Sequence, residues 1–295
     1  MDMKNDERIL VSYEIKVPAR RSNPETIQNS IETIISKIKD SDYIDLINAP
    51  EITEENYEGR PFYKSVDVAP LSQKLHQGTG KNIIINSVVG HFESKDAFIR
   101  FIKKVKNKYG IQNIVLVGVA NPHNTYPGPN VGEANKIASE MGVNVGNICI
   151  PHRPEEIDRM VGKTEAGCSF FTTQILLEED KIKNVLLEYD RMCKEKSMKP
   201  ARIFLSFATV ADEYDLEFFK WLGIEISEKT EEEMKQSGNM TEYCTSRIKD
   251  IYKSVLEFKK ENSISVPLGL NICQVSARNL EPSLKLAREL AQIKV

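Results

Sequence analysis

Hydrophobic positions along this chain fall into two kinds of segment that alternate. Short apolar runs, Leu10–Ile15, Asn82–Val89, Asn113–Val119, Val143–Ile150 and Ala201–Ala208, are rich in β-branched residues and show little strict alternation. They read as strands buried on both faces, the habit of parallel sheets covered by helices. Between them, apolar residues recur three and four apart. Ile27, Ile31, Ile34, Ile35 and Ile38 form one such stripe. It opens at Asn23-Pro24, a preferred N-cap followed by the residue that suits the first helical position.

The same pattern gives a second strand at Tyr43–Ile47, a sixth at Ala166–Leu177 and an eighth at Pro267–Cys273. Helices are predicted over 68–77, 95–109, 132–141, from about 154, on to about 196, over 212–222, 241–261 and 282–293. Residues 48–64 hold two prolines, Gly59 and several acids, and read as a long loop. The stretch from Ala120 to Asn130 is rich in proline, glycine and asparagine, which marks a second loop. Eight strands alternating with helices in 295 residues predict a single (β/α)8 barrel, an α/β fold spanning 1–295 as one domain. A doubly wound sheet is the alternative architecture.

Composition narrows the function. A formal net charge of −3 offers no electrostatic basis for binding nucleic acid or an anionic membrane. No run approaches the ~20 apolar residues of a spanning helix, and the polar stretch Met1–Arg8 is unlike a signal peptide. The five cysteines lack any Cys-x-x-Cys pair, which fits reduced thiols in a cytoplasmic protein and argues against zinc. Glycines form neither a G-x-G-x-x-G nor a Walker pattern, so a Rossmann nucleotide site is not supported.

In a barrel of this kind, chemistry is carried by strand carboxyl ends and the loops that follow. That rule selects Glu14, Asn48, the loop 121–130, His152, Gln174, Ser206 and Asn271. Glu14 carries the most information, because a carboxylate in a core strand is costly unless paired or protonated. It is either a general acid with a raised pKa or a structural partner of Lys16 or Arg20 that ties down the strand end. Gln174 is an amide at the end of an apolar strand and needs a partner, which a ligand could supply. No histidine pair has helix-borne metal spacing, so no metal site is expected. The segment Glu217–Gly223, with the chain's one tryptophan, reads as a helix packing its aromatics.

Three stretches carry a family resemblance. Gly167-Cys-Ser-Phe-Phe-Thr-Thr-Gln174 resembles the Ala-Gly-Ala-Asp-Phe-x-x-Thr-Gln strand of methylenetetrahydrofolate reductases. Tyr13-Glu14, with Pro18 and Arg20, resembles that family's opening Phe-Glu-Phe-x-Pro-Pro-Arg. Leu216-Glu-Phe-Phe-Lys-Trp-Leu-Gly-Ile-Glu225 is similar to its late Leu-Glu-Phe-x-Lys-Trp-Leu-Gly-Val-Glu. The resemblance implies a barrel oxidoreductase of one-carbon metabolism that uses FAD, with NAD(P)H as co-substrate and a folate or related pterin as substrate. It implies that Glu14 protonates a folate nitrogen and that Gln174 contacts the folate; Asn271, selected by its strand-end position, is expected as a further substrate contact. Lys163 falls where the family has a flavin-diphosphate lysine, Glu156 where it has an aspartate, and Asn48 where a threonine meets the flavin. Asn121 and His152, on the loops after the fourth and fifth strands, complete the expected cofactor set.

The departures lie on the flavin side. The family's Leu-Arg-Gly-Asp at the fourth strand end is matched by Val117-Gly-Val-Ala120, and its His-Leu-Thr-Cys by Val88-Val-Gly-His91. The Tyr-Pro-Glu-x-His loop is shortened to Ile150-Pro-His-Arg-Pro154. A flavin-free reductase taking hydride directly from NAD(P)H, and a non-catalytic barrel binding a pterin or a partner subunit, are the competing readings. Homo-oligomerisation is left open.

Overall fold

The structure is a computed structural model that describes residues 3, 6, 8–55, 61–119 and 124–293. Eight parallel strands close into a barrel: β1 (Leu10–Glu14), β2 (Leu46–Ala49), β5 (Asn82–Val88), β6 (Asn113–Val117), β7 (Asn144–Cys149), β8 (Cys168–Ile175), β9 (Arg202–Phe207) and β10 (Leu268–Cys273). The order around the barrel is the order of the chain, with β10 pairing back onto β1 from Leu10↔Gly269 to Glu14↔Cys273. This closure excludes a doubly wound sheet.

Helices cover the outside: α1 (Pro24–Ile38), α2 (Val68–Thr79), α3 (Lys95–Tyr109), α4 (Val131–Glu140), α5 (Glu156–Glu165), α6 (Asp180–Glu195), α7 (Glu213–Trp221), α8 (Glu228–Gln236), α9 (Met240–Glu261) and α10 (Leu280–Ala291). Their ends follow local chemistry. The Asn23 side chain accepts from Thr26 N at 2.7 Å and Pro24 opens α1. Asn130 and Glu133 form a reciprocal capping box on α4. Gly110, at φ 69°, ends α3 in the left-handed conformation. Among the described residues, no helix is long and apolar enough to cross a membrane, and the five cysteines are free and buried.

Three elements differ from the sequence reading. The second strand begins at Leu46, because Asp42 and Tyr43 lie in a turn and the Asp45 carboxylate accepts the Val11 N–H at 2.9 Å. The stretch expected as loop contains an antiparallel hairpin, β3 (Thr53–Glu55) with β4 (Pro61–Lys64), outside the barrel. The polar interval after α7 holds α8, capped by Ser227 and burying only Thr230 and Met234. A helix with so narrow an apolar contact leaves almost no periodic signal.

The barrel interior changes character from end to end. Its lower half is apolar, with Leu10, Leu46, Ile84, Val115, Phe170 and Phe204 packed together. Phe170 meets Phe204 edge to face at 5.8 Å. Two glycines make room for these rings: a Cβ on Gly146 would lie 2.4 Å from Phe170, and one on Gly269 2.5 Å from Phe204. Below them the buried Arg202 guanidinium closes the amino end. It donates to the carbonyls of Met3 (3.0 Å), Arg8 (2.8 Å), Leu268 (2.6 Å) and Asp6. Above the aromatic layer, toward the strand carboxyl ends, the interior turns polar.

Candidate active site

Glu14 is the last residue of β1, half-buried at the carboxyl end of the barrel. The Glu14 backbone is fixed from both sides, since its carbonyl accepts from Gln274 N at 2.8 Å and the next N–H, of Ile15, donates to Asn48 O at 2.9 Å. Register places Asn48 and Cys273 directly beside it on the flanking strands. Asn48 Nδ2 donates to Glu14 Oε2 at 2.7 Å, and Asn271 Nδ2 donates to the same oxygen at 3.1 Å. The Asn271 amide is shared with Ser206 Oγ (3.2 Å) and Cys273 Sγ (3.3 Å).

Among the described residues no lysine or arginine pairs with Glu14, so neither Lys16 nor Arg20 makes the structural ion pair that the sequence left open. Burial raises the Glu14 carboxyl above its ordinary value of 4.5, and the bonds from Asn271, Cys273 and Asn48 partly oppose the rise. A carboxyl held only by neutral donors can keep its proton and remain able to give it up. That is the arrangement of a general acid.

The barrel mouth carries further unpaired polar atoms. Asn48 Oδ1, Asn271 Oδ1, Asn86 Oδ1, Ser12 Oγ and Thr172 Oγ1 are buried without a hydrogen-bond partner. Native interiors rarely leave such groups unmatched, and ordered water or a bound polar molecule is their usual partner.

Gln174 is the penultimate residue of β8, and its side-chain bond leads away from Glu14. Its Nε2 donates to the Leu222 carbonyl at 2.9 Å, which ties the strand end to the end of α7, where Gly223 (φ 72°) stops the helix. Of the expected cofactor residues, Glu156 and Lys163 meet at the end of β7, and His152 lies on the turn that follows the strand. Glu156 is buried and accepts from Ile150 N at 3.1 Å, with Lys163 at 3.7 Å and Arg153 at 3.8 Å. Lys163 Nζ donates to the Ile148 carbonyl at 2.9 Å. His152 lies 4.0 Å from Glu225. Asn48, expected beside a flavin, donates its amide to Glu14 instead, and Asn121 lies outside the described residues. Cys273 was not among the sequence candidates. Its signal is the period-two alternation that puts it on the same face as Asn271.

Cavities lined by described residues flank the barrel. One, of about 480 Å³, opens on the carboxyl face beside β2 and β5 and is lined by Arg20, Glu51, Asp67, Ser87 and His91 among others. Another, of about 630 Å³, is lined by Arg8, Tyr43, Asp45, Tyr252 and Arg288 at the amino end of β1. Among the described residues no group of three or more His, Cys, Asp or Glu side chains could hold a metal ion.

A sequence model of the family described as mycobacterial methylenetetrahydrofolate reductase matches residues 71–279, well over half of the chain. The chain belongs to the methylenetetrahydrofolate reductase family. No curated protein sequence matches it. Among solved structures, an uncharacterized protein from Clostridium thermocellum that binds two copies of 5-methyl-5,6,7,8-tetrahydrofolic acid is similar over 99% of both chains, with a TM-score of 0.83 and 23% identity. A mutant tryptophan synthase α-subunit from Pyrococcus furiosus aligns over 96% of both chains with a TM-score of 0.51 and 11% identity. A thermostable aldo-keto reductase aligns over 100% of this chain and 93% of its own with a TM-score of 0.55 and 11% identity. At these identities the structures testify to the barrel fold. Membership of the reductase family rests on the sequence match, which takes in β8 with Gln174 and β10 with Asn271 and Cys273; Glu14 precedes the matched span.

Proposed function

We propose that this protein reduces the methylene form of a tetrahydropterin one-carbon carrier to its methyl form, with Glu14 as the acid. The observation that carries the reading is the Glu14 carboxyl at the barrel mouth, bonded by Asn48 and Asn271 and, among the described residues, paired with no cation. Family membership supports the reaction class. The folate bound by the Clostridium thermocellum protein supports the carrier class.

Protonated Glu14 gives its proton to the folate nitrogen that closes the methylene bridge. The carbon–nitrogen bond breaks, its electron pair takes that proton, and the methylene carbon is left as an iminium. Hydride from NAD(P)H adds to that carbon with its electron pair, giving the methyl group and oxidised nicotinamide. Glu14 is then reprotonated from solvent. Gln174, partly exposed on the same rim, contacts the pterin through its amide oxygen while its nitrogen stays on Leu222. The cavity beside β2 and β5 gives the nicotinamide nucleotide room on the same face.

The residues that the family resemblance assigns to FAD do not fit that role here. The Glu156 carboxylate is turned inward onto Ile150 and Lys163. The Lys163 amine is bonded to a strand carbonyl, and the Asn48 amide is bonded to Glu14. The reaction is therefore written with direct hydride transfer.

The test is the visible absorbance of the purified protein with and without added FAD, followed by NAD(P)H oxidation driven by methylenetetrahydrofolate. Folate-driven oxidation without a flavin band supports direct transfer. A bound flavin bleached by NAD(P)H would return FAD to the mechanism. Folate binding with no oxidation under either condition would leave a pterin-binding barrel without catalysis.

A further inference from the structure

We propose that Cys273 is a positioning residue for the Glu14 carboxyl, its thiol donating to the carboxylate when Glu14 is ionised and turning away when Glu14 is protonated. Cys273 ends β10 directly opposite Glu14 in the β1–β10 register, and strand alternation puts Asn271 and Cys273 on one face. The Asn271 amide reaches both, at 3.1 Å to Glu14 Oε2 and 3.3 Å to Cys273 Sγ. With that amide donating to the sulfur, the thiol proton is directed at the Asn271 carbonyl at 3.9 Å, and the Glu14 carboxylate, opposite in the register and bonded by the same amide, is the second acceptor we assign to it. This adjacency lets the one thiol proton turn between the two partners with the charge on Glu14.

The thiol can act only as a donor. Burial, together with the neighbouring Glu14, pushes its pKa well above the ordinary value, so it stays protonated wherever the enzyme works. Among the described residues, no other charged side chain is bonded to Glu14. On β2 the facing group is the Asn48 amide, on β10 the Asn271 amide and the thiol, and on β9 the neutral Ser206 hydroxyl, reached through Asn271. The Gln274 side chain accepts from Lys16 N at 3.2 Å, and the Lys16 and Arg20 side chains make no ion pair with Glu14. Cys273 is therefore a neutral donor beside this acid, and a single donor to an ionised group is strong enough to matter.

The experiment uses the full chain and the variants Cys273→Ala and Cys273→Ser, with thermal melting to establish that each folds. Glu14 is titrated without substrate by carbon-13 NMR of labelled glutamate, its resonance identified by its absence in Glu14→Gln. Cys273→Ala is expected to raise the Glu14 midpoint by about one pH unit, tenfold in proton affinity. Cys273→Ser, which keeps a donor, is expected to restore most of that shift. The alkaline limb of the folate-reduction profile moves in parallel, a readout that a packing role alone would not shift. An unmoved midpoint in Cys273→Ala, or equal shifts in Ala and Ser, overturns the assignment. The catalytic consequence rests on Glu14 being the acid. A shifted midpoint in a protein that reduces no folate would sink that reading and leave the role of Cys273 standing.

Discussion

Replacing Glu14 by Gln removes a proton donor and almost nothing else. The amide is isosteric, and its oxygen can still accept from Asn48 Nδ2 and Asn271 Nδ2, now at 2.7 and 3.1 Å from the carboxylate. Positioned general acids contribute roughly 10²–10⁴ in rate, or about 3–5 kcal/mol of barrier, so folate-driven NAD(P)H oxidation should fall by that factor. Binding of 5-methyltetrahydrofolate, which needs no proton transfer, should change by less than about tenfold. Stability supplies an independent check with a fixed sign. Because burial raises the Glu14 carboxyl, the folded state binds its proton more tightly than the unfolded state does. The resulting stabilisation is complete below the ordinary value of 4.5 and is lost as pH rises through the raised folded value. Glu14→Gln has no such term, so its melting temperature should gain on the wild type as pH climbs through that window. Thermal melts across pH and a steady-state assay at one pH suffice. Undiminished folate turnover in Glu14→Gln would refute the role of Glu14, and a melting difference flat in pH would refute the raised carboxyl.

The remaining predictions concern the frame that holds the site. Gly146→Ala places a methyl group 2.4 Å from the Phe170 ring, inside a filled barrel. It should cost about 1–3 kcal/mol, seen as a lower midpoint in urea, and an unchanged midpoint would mean that Phe170 can move aside. Arg202→Met leaves the Met3, Asp6, Arg8 and Leu268 carbonyls without their shared donor. It should destabilise by about 3 kcal/mol or more, with faster proteolysis at the amino terminus, while Glu14 titrates as before. Glu156→Gln and Lys163→Met should lower stability with little effect on nucleotide affinity, since both side chains face each other and the end of β7. A loss of cofactor affinity larger than the loss of stability would restore them to the binding site.

The barrel was legible because each strand announces itself locally. Runs such as Asn82–Val88 and Arg202–Phe207 are apolar on both faces and sit between amphipathic helices, and that repeat has few solutions other than a closed barrel. What escaped was structure with little apolar signal. The hairpin of β3 and β4 lies in a stretch dense with acids and prolines, and α8 rests on two buried side chains. The two buried side chains of α8 are too few to shape a periodic sequence pattern.

The site was legible in its members and hidden in its partnerships. Strand-end position and residue chemistry are enough to single out Glu14, Asn48, Ser206 and Asn271. Which of them meet is fixed by the β1–β10 closure, which joins residues 257 apart, and no local pattern carries that register. The consequence is chemical. Asn48 and Asn271, each attributable to a ligand when taken alone, are both bonded to the acid, and Cys273 enters only because the closure sets it opposite Glu14. An arginine or lysine in any of those three places would lower the Glu14 pKa and leave it a carboxylate. Neutral donors instead leave burial as the dominant influence, which raises the carboxyl above its ordinary value. The proton affinity of this acid is therefore a property of the closed barrel, assembled from three strands, and each of the three neutral side chains is a separate handle on it.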